Sequence, residues 1–177
     1  MKKIYNSKLN CNTYELFAGE FFATSEKDAV LITLLGSCVA VCLIDDINGV
    51  IGMNHFMLPG KIFFDQPVPI NNPKYGTCAT DMLIMEMMKV GAVRQNLKAK
   101  VFGAGKIIEH FTRDIAAANA EFIQKYLQAI GIPVIAKDLG GKSGRKLYFF
   151  GGSEEVYIKR ITDVNALPPE ERVKITS

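Results

Sequence analysis

The sequence has few of the features that assign a chain to a membrane, a secretory route or a nucleic-acid partner. Its longest uninterrupted apolar run covers residues 39–44, a strand's length and far short of the roughly 20 residues that a membrane-spanning helix needs. Two lysines follow the first methionine, but the apolar segment of a secretory signal does not come after them. The net charge is only +3, and no basic cluster is interleaved with aromatic residues. We therefore expect no membrane insertion, no secretory signal and no nucleic-acid partner.

Cysteines are also sparse. Four of them are spread over 177 residues, as Cys11, Cys38, Cys42 and Cys78, and this is not the dense framework that stabilises small disulfide-rich domains. Free thiols are typical of a reducing compartment, so we expect a cytoplasmic protein. With 49% hydrophobic and 22% charged residues, the composition predicts one globular domain with a sizeable core.

Strand and helix patterns are mixed along the chain, without an internal repeat. Strands are predicted at residues 30–34, 39–44, 50–58, 98–102, 132–137, 146–150 and 156–161, and helices from residue 77 or 78 to 90 and over 114–130. The run at 39–44 is apolar at every position, which predicts burial on both faces. The order of elements predicts an α/β protein of α+β-like character, in which a mixed β-sheet is flanked by helices. Residues 59–76 contain four prolines and predict a long loop, which is often functional.

One cysteine follows a Gly-Ser turn, and one of the only two histidines comes 17 residues later. Cys38 directly follows Gly36 and Ser37, while His55 lies in the next predicted strand. An Asn-Gly pair between the two strands predicts a tight turn, so a hairpin would bring the thiol and the imidazole together. Such a pair makes a nucleophile and its base. Amide groups near Gly36 and Ser37 could donate to a developing oxyanion.

These residues also have ordinary structural explanations. Free cysteine is among the most buried residue types, and a histidine among apolar neighbours is commonly a core residue. Cys42 lies in mid-strand and is interpreted as core, and His110, with polar neighbours, is the weaker candidate base. Cys38 and Cys42 would be roughly 13 Å apart along one strand, too far to share a zinc ion, so no metal site is predicted.

A third group should orient the imidazole. Asn54 is adjacent to His55 in a strand, so its side chain should point to the opposite face. Thr33, just before the Gly-Ser turn, is therefore preferred, and Ser37 stays open as an alternative.

Residues 140–143 include the Gly-Lys-Ser end of a phosphate-binding loop. The first glycine of that motif would fall at position 136, where this chain has alanine, and a strand follows instead of a helix. A phosphate-binding loop needs the helix N-terminus. We therefore interpret the segment as a tight turn.

The segments around Cys38 and His55 resemble those of the bacterial chemoreceptor glutamine deamidases, the CheD family. The matching residues are 33–43 and 52–59, with further matches at 75–76, 98–103, 138–141 and 144–145. The resemblance extends over roughly residues 19–160. The chain departs from the family pattern at residues 103–105, 115–119 and 151, and after residue 160.

The resemblance implies an enzyme that hydrolyses the side-chain amides of particular glutamines in chemotaxis receptors, giving glutamate and ammonia. Cys38 matches the family's nucleophile and His55 its general base, and Thr33 is the nearest match to its third catalytic residue. The family needs no cofactor, is cytoplasmic and acts on receptor cytoplasmic domains. Some members also bind the phosphatase CheC. Residues 59–76 and the segment near Arg145 are the expected docking face.

Within this interpretation we expect an N-terminal lead-in at residues 1–18, loosely attached, a catalytic domain at 19–161 and a solvated C-terminal tail at 162–177. The sequence leaves three other functions open. The chain could be another cysteine acyl-transfer enzyme, such as a protease or transglutaminase, a binding module without catalysis, or a nucleotide-binding protein through residues 140–143.

Overall fold

Within the described part of the chain, strands dominate and two α-helices accompany them. The computed structural model describes residues 1–7, 10–60, 71–107 and 114–161. Within these ranges the strands are β1 (Lys2–Asn6), β2 (Cys11–Leu16), β3 (Glu20–Thr24), β4 (Ala29–Leu35), β5 (Val39–Asp45), β6 (Val50–His55), β7 (Lys98–Gly103), β8 (Val134–Leu139), β9 (Gly144–Phe150) and β10 (Val156–Ile161). The helices are α1 (Gly76–Lys89) and α2 (Ile115–Ala129). Neither helix is long and apolar enough to cross a membrane.

The strands form two five-stranded mixed sheets. The first sheet has the order β1-β2-β4-β9-β10 and the second has the order β3-β6-β5-β7-β8. Neighbours are antiparallel except for β2 with β4 and β7 with β8. Mixed strand directions with helices packed on a sheet confirm the predicted α+β character. The division of the strands between two sheets is a feature that the structure adds.

Apolar side chains fill two layers, one on each face of the second sheet. Between the sheets, Leu31 of β4 and Phe149 of β9 belong to one cluster with Met53 of β6. On the other face, Val41 of β5 packs in a cluster with residues of both helices, among them Phe122 of α2. The second sheet is therefore the middle layer of three. Every residue of β5 is buried, which confirms the prediction that this strand has no solvent-facing side.

Residues 1–18 contribute two strands of the first sheet, so the expectation of a loosely attached lead-in is wrong. β1 pairs with β2, and β2 pairs in parallel with β4 over five residues. Tyr14 and Leu16 are 3% and 1% exposed and belong to the cluster between the sheets. In β2, Thr13 and Glu15 alternate with these two buried residues, so the strand contains no continuous apolar run that would reveal it.

One predicted strand is shorter than expected, and the structure adds a strand beside it. The strand predicted at residues 50–58 ends at His55 as β6, after which Phe56 pairs only with Val39 and Leu58 pairs in parallel with Tyr75. β3, which was not predicted, lies antiparallel to β6 with Glu20 opposite His55. Of the predicted loop at 59–76, residues 61–70 lie outside the described residues, as do His110 and the predicted tail at 162–177.

The turn that carries Cys38 rests on the end of β7. The Cys38 carbonyl accepts a hydrogen bond from the Ala104 N–H at 2.8 Å, and the Gly36 carbonyl accepts one from the Gly105 N–H at 2.8 Å. Gly103 has φ of +118°, and a Cβ atom added there would overlap the Cys38 carbonyl oxygen. A side chain at position 103 would therefore push the turn away from β7.

A pair of glycine substitutions tests this close approach. Gly91 has a similar φ of +105° but open space around it, so Gly91→Ala should cost only the strain of a left-handed alanine, about 1–2 kcal/mol. Gly103→Ala should cost about 1–3 kcal/mol more, because the added methyl group also overlaps the Cys38 carbonyl. Urea unfolding of both variants measures the difference. Equal losses would mean that the turn tolerates a side chain at position 103.

Candidate active site

Cys38 lies where the chain crosses from the first sheet to the second. It follows the last residues of β4 and immediately precedes β5. Its side chain is in the cluster between the sheets and is 9% exposed, so only an edge of it reaches the surface. The two hydrogen bonds from the end of β7 hold the backbone on either side of Ser37. The thiol is thus attached to a well-anchored turn at the rim of the inter-sheet layer.

The β5–β6 register brings His55 close to this thiol. Val39 lies opposite Phe56, and the N–H of each donates to the carbonyl of the other at 3.0 and 2.9 Å. Continuing that register places His55 opposite Ala40, which is two residues from Cys38 and on the same face of the strand. Cys38 and His55 are therefore diagonal cross-strand neighbours, an arrangement with Cα atoms roughly 7–8 Å apart whose side chains can meet.

The imidazole of His55 is held from the first sheet. Its Nδ1 atom lies 2.8 Å from Thr33 Oγ1, and the Thr33 hydroxyl also lies 2.8 Å from the Leu16 carbonyl oxygen, to which it donates. Thr33 and His55 are both fully buried. A hydroxyl has one proton, and here it goes to the Leu16 carbonyl. Nδ1 must then donate to the hydroxyl oxygen, which leaves the lone pair of the neutral imidazole on Nε2.

The predicted site residues therefore come together from both sheets. Thr33 is contributed by β4 of the first sheet and His55 by β6 of the second, and Cys38 lies in the connection between the sheets. Gly36 and Ser37 form the turn directly before the thiol. The side chain that meets His55 Nδ1 is Thr33, the residue preferred from the sequence.

The alternatives raised by the sequence are placed elsewhere. Asn54 faces α1, where its Nδ2 group donates to Thr80 Oγ1 at 3.5 Å, and its Oδ1 atom accepts a hydrogen bond from the Val41 N–H at 2.9 Å. Cys42 is fully buried between the sheets, and burial raises the pKa of its thiol. Both placements agree with the predictions that Asn54 points away from His55 and that Cys42 is core. Residues 140–143 connect β8 to β9, as expected for a turn and not for a phosphate-binding loop.

The segment near Arg145 was expected to belong to the docking face, but the Arg145 side chain is internal and does not reach the surface. Its guanidinium donates to Asp138 Oδ1 from Nε at 3.0 Å and from Nη2 at 2.7 Å. It also donates to the carbonyls of Ser143 and Gly140, and the side chain is 1% exposed. The sequence signal for this burial was that Arg145 falls at an inward-facing strand position. A charge at such a position requires buried partners.

The sequence predicts no site role for Asn119 of α2. It is fully buried, and its Nδ2 group donates to the carbonyls of Ser37 at 3.0 Å and Met57 at 2.9 Å. Among the described residues, no group of three or more His, Cys, Asp or Glu side chains is arranged to hold a metal ion. The groups present at this site are a thiol, an imidazole, a hydroxyl and backbone amides.

The comparisons with known proteins agree on one family. The family model described as CheD chemotactic sensory transduction matches residues 57–160. The chain is 41% identical over 170 residues to a protein of Chromobacterium violaceum named probable chemoreceptor glutamine deamidase CheD 2, covering 95% of this chain and 83% of that protein. It is 39% identical over 167 residues to the probable chemoreceptor glutamine deamidase CheD of Methylobacillus flagellatus, covering 91% and 80%.

A protein of Thiobacillus denitrificans with the same name is 39% identical over 163 residues, again covering 91% of this chain and 80% of the relative. The family model begins after His55, but the relatives align with nearly the whole chain. Matches of this length and identity show that the chain belongs to the CheD family.

Proposed function

We propose that this chain is a chemoreceptor glutamine deamidase, which hydrolyses glutamine side-chain amides of chemotaxis receptors to glutamate and ammonia. The observation that supports it most directly is the 2.8 Å contact between His55 Nδ1 and Thr33 Oγ1, which leaves Nε2 as the basic nitrogen on the strand face that Cys38 shares. The relatives named probable chemoreceptor glutamine deamidase support the substrate class.

In the proposed first step, Cys38 gives its thiol proton to His55 Nε2. Transfer between neighbours creates a thiolate and an imidazolium together, so each charge is stabilised by the other inside a buried site. The thiolate then attacks Cδ of the glutamine, forming a C–S bond as the carbonyl π electrons move to oxygen. Backbone amides near Gly36 and Ser37 are proposed to donate to that oxyanion.

The second half of the reaction returns the proton. The imidazolium of His55 protonates the amide nitrogen, the C–N bond breaks, and ammonia leaves behind a thioester on Cys38. Water then attacks the thioester carbonyl while Nε2 accepts its proton. Breaking the C–S bond releases glutamate and returns the thiol. Each step uses a side chain, a backbone amide or water, so the proposal includes no cofactor.

Thr33 is proposed to orient the base. Its hydroxyl lies between the Leu16 carbonyl and His55 Nδ1, so it accepts from the ring nitrogen whether the ring is neutral or protonated. The same hydrogen bond fixes the tautomer that has its lone pair on Nε2. Because β2 provides the Leu16 carbonyl, the proposed catalytic domain at 19–161 depends on the strand before it.

The proposed partners are the cytoplasmic domains of chemoreceptors, with CheC as a second partner and residues 162–177 as an appended tail. We propose a cytoplasmic location, which is supported by the finding that Cys11, Cys38, Cys42 and Cys78 form no disulfide with one another. The proposal includes neither nucleic acid nor membrane insertion.

The nucleophile is tested with a purified receptor cytoplasmic domain as substrate. Cys38→Ser is nearly isosteric, but serine is a far weaker nucleophile than a thiolate, so ammonia release should fall by at least about 10³-fold. The matched control is Cys42→Ala, which removes a thiol from the same strand face and should keep most of the activity. Mass spectrometry of the receptor distinguishes the two reactions, because deamidation leaves the receptor chain intact and proteolysis shortens it. More than a few per cent activity in Cys38→Ser, or shortened receptor fragments with the wild type, would contradict the proposal.

The orienting role of Thr33 is tested by removing its hydroxyl without changing its volume. Thr33→Val should lower kcat by roughly 10- to 100-fold, the usual effect of deleting a hydrogen-bond partner that orients a functional histidine. KM should stay similar, because receptor docking does not involve this buried residue. Thr33→Ser should recover activity, since it keeps the hydroxyl.

Ser37→Ala is the comparison for Thr33→Val, because Ser37 is adjacent to the thiol and was the alternative. If Ser37→Ala loses turnover while Thr33→Val keeps it, the orienting role belongs to Ser37.

A further inference from the structure

The pairing of β5 with the segment after β6 ends at Val39 and Phe56, next to the candidate site. Val39 and Phe56 are hydrogen-bonded to each other, but the next residue along, Met57, turns its N–H to the Lys74 carbonyl at 2.9 Å. The segment after His55 therefore leaves β5 at the point where Cys38 is attached. The backbone hydrogen bonds of the hairpin therefore do not set the distance between the Cys38 segment and the segment after His55, and another contact must do so.

The Asn119 carboxamide bridges this gap. Its Nδ2 group donates to the Ser37 carbonyl at 3.0 Å and to the Met57 carbonyl at 2.9 Å. Ser37 directly precedes Cys38, and Met57 follows His55 by two residues. An amide nitrogen has two protons, so both are used, one on each segment. The residue is fully buried in α2, which packs against the second sheet and provides a rigid support.

We propose that Asn119 is a positioning residue for the deamidation reaction, holding the segment that bears Cys38 at a fixed distance from the segment that bears His55. The inference rests on the proposed function of these two residues. Asn119 acts through the backbone and need not touch the substrate.

The surroundings of the turn support this role. Three successive carbonyls, those of Gly36, Ser37 and Cys38, accept hydrogen bonds from other segments. Two of these bonds come from backbone N–H groups of Gly105 and Ala104, which fix the turn against β7. The bond to Ser37 comes from α2, and it is the one whose donor also contacts the His55 segment.

The carbonyl oxygen of the Asn119 side chain also supports a positioning role. Its Oδ1 atom is buried and makes no hydrogen bond to any described residue. A buried carbonyl oxygen without a partner is unfavourable, so an apolar residue would suit the helix core better. The polar side chain is explained by the two carbonyls that it joins.

The experiment measures thiol activation before substrate is involved. In free protein, the rate of Cys38 alkylation by iodoacetamide is followed against pH, with the labelled site assigned by peptide mass mapping. In Asn119→Ala the midpoint should rise toward the ordinary thiol value of about 8.5. With receptor substrate, kcat should fall by about 10²-fold, as expected for misplaced reacting groups, while KM stays unchanged.

The control is Ile123→Ala, one helical turn later in α2 and equally buried. It should lower the melting temperature without moving the alkylation midpoint. Asn119→Asp keeps the shape but turns a donor toward two carbonyls into an acceptor, so it should show the same shift as Asn119→Ala. Unfolded chains would also react with the ordinary thiol midpoint, so the folded fraction of each variant is isolated by size-exclusion chromatography before labelling.

One result would overturn the role of Asn119, and a different result would overturn the proposed function. If Asn119→Ala keeps the parental midpoint and kcat, Asn119 is a structural residue only and the inference is overturned. If Cys38 in the parent protein reacts no faster than the half-buried Cys78, the proposed function itself fails.

Discussion

The hydrogen bond between Thr33 and His55 joins the two sheets at the site. A fully buried imidazole needs partners for its ring nitrogens, because an unsatisfied polar group in the core is costly. Here the partner of Nδ1 comes from β4 of the first sheet, and that partner is itself bonded to β2 through the Leu16 carbonyl. The position of the proposed base is therefore set by the packing of one sheet on the other. Strands from residues 1–18 are part of this arrangement, which explains why they cannot be a detached lead-in.

The thiol is fixed by a different kind of constraint. Cys38 lies in the connection from β4 to β5, where β7 approaches closely enough that only glycine fits at position 103. Backbone hydrogen bonds from the two residues after β7 and the side chain of Asn119 then hold the turn from two directions. The proposed nucleophile and the proposed base are thus placed by separate parts of the structure. The β5–β6 register and the Asn119 bridge relate one to the other.

Local signals in the sequence predicted the hairpin, the thiol and the imidazole. An apolar run, an Asn-Gly turn and a second run fix a hairpin within 20 or so residues, and alternation along a strand was enough to prefer Thr33 over Asn54. The division into two sheets depends on pairings such as β4 with β9, which local patterns do not encode. The same holds for Asn119, which is 82 residues from Ser37 in sequence. The predicted exposure of Arg145 was wrong because charged residues are usually on the surface. In the folded chain, a carboxylate and carbonyl groups surround its guanidinium and allow its burial.

The depth of the site also bears on which amides it can reach. Cys38 is 9% exposed and His55 is fully buried, so an electrophile must extend inward from the surface of its own protein. A main-chain amide in a folded helix is hydrogen-bonded and lies flush with its neighbours, and it cannot extend without local unfolding. A glutamine carboxamide stands two methylene groups away from its backbone and can enter while the helix stays folded. The recessed thiol therefore favours hydrolysis of side-chain amides over cleavage of the main chain, which is the difference between a deamidase and a protease built from the same residue pair.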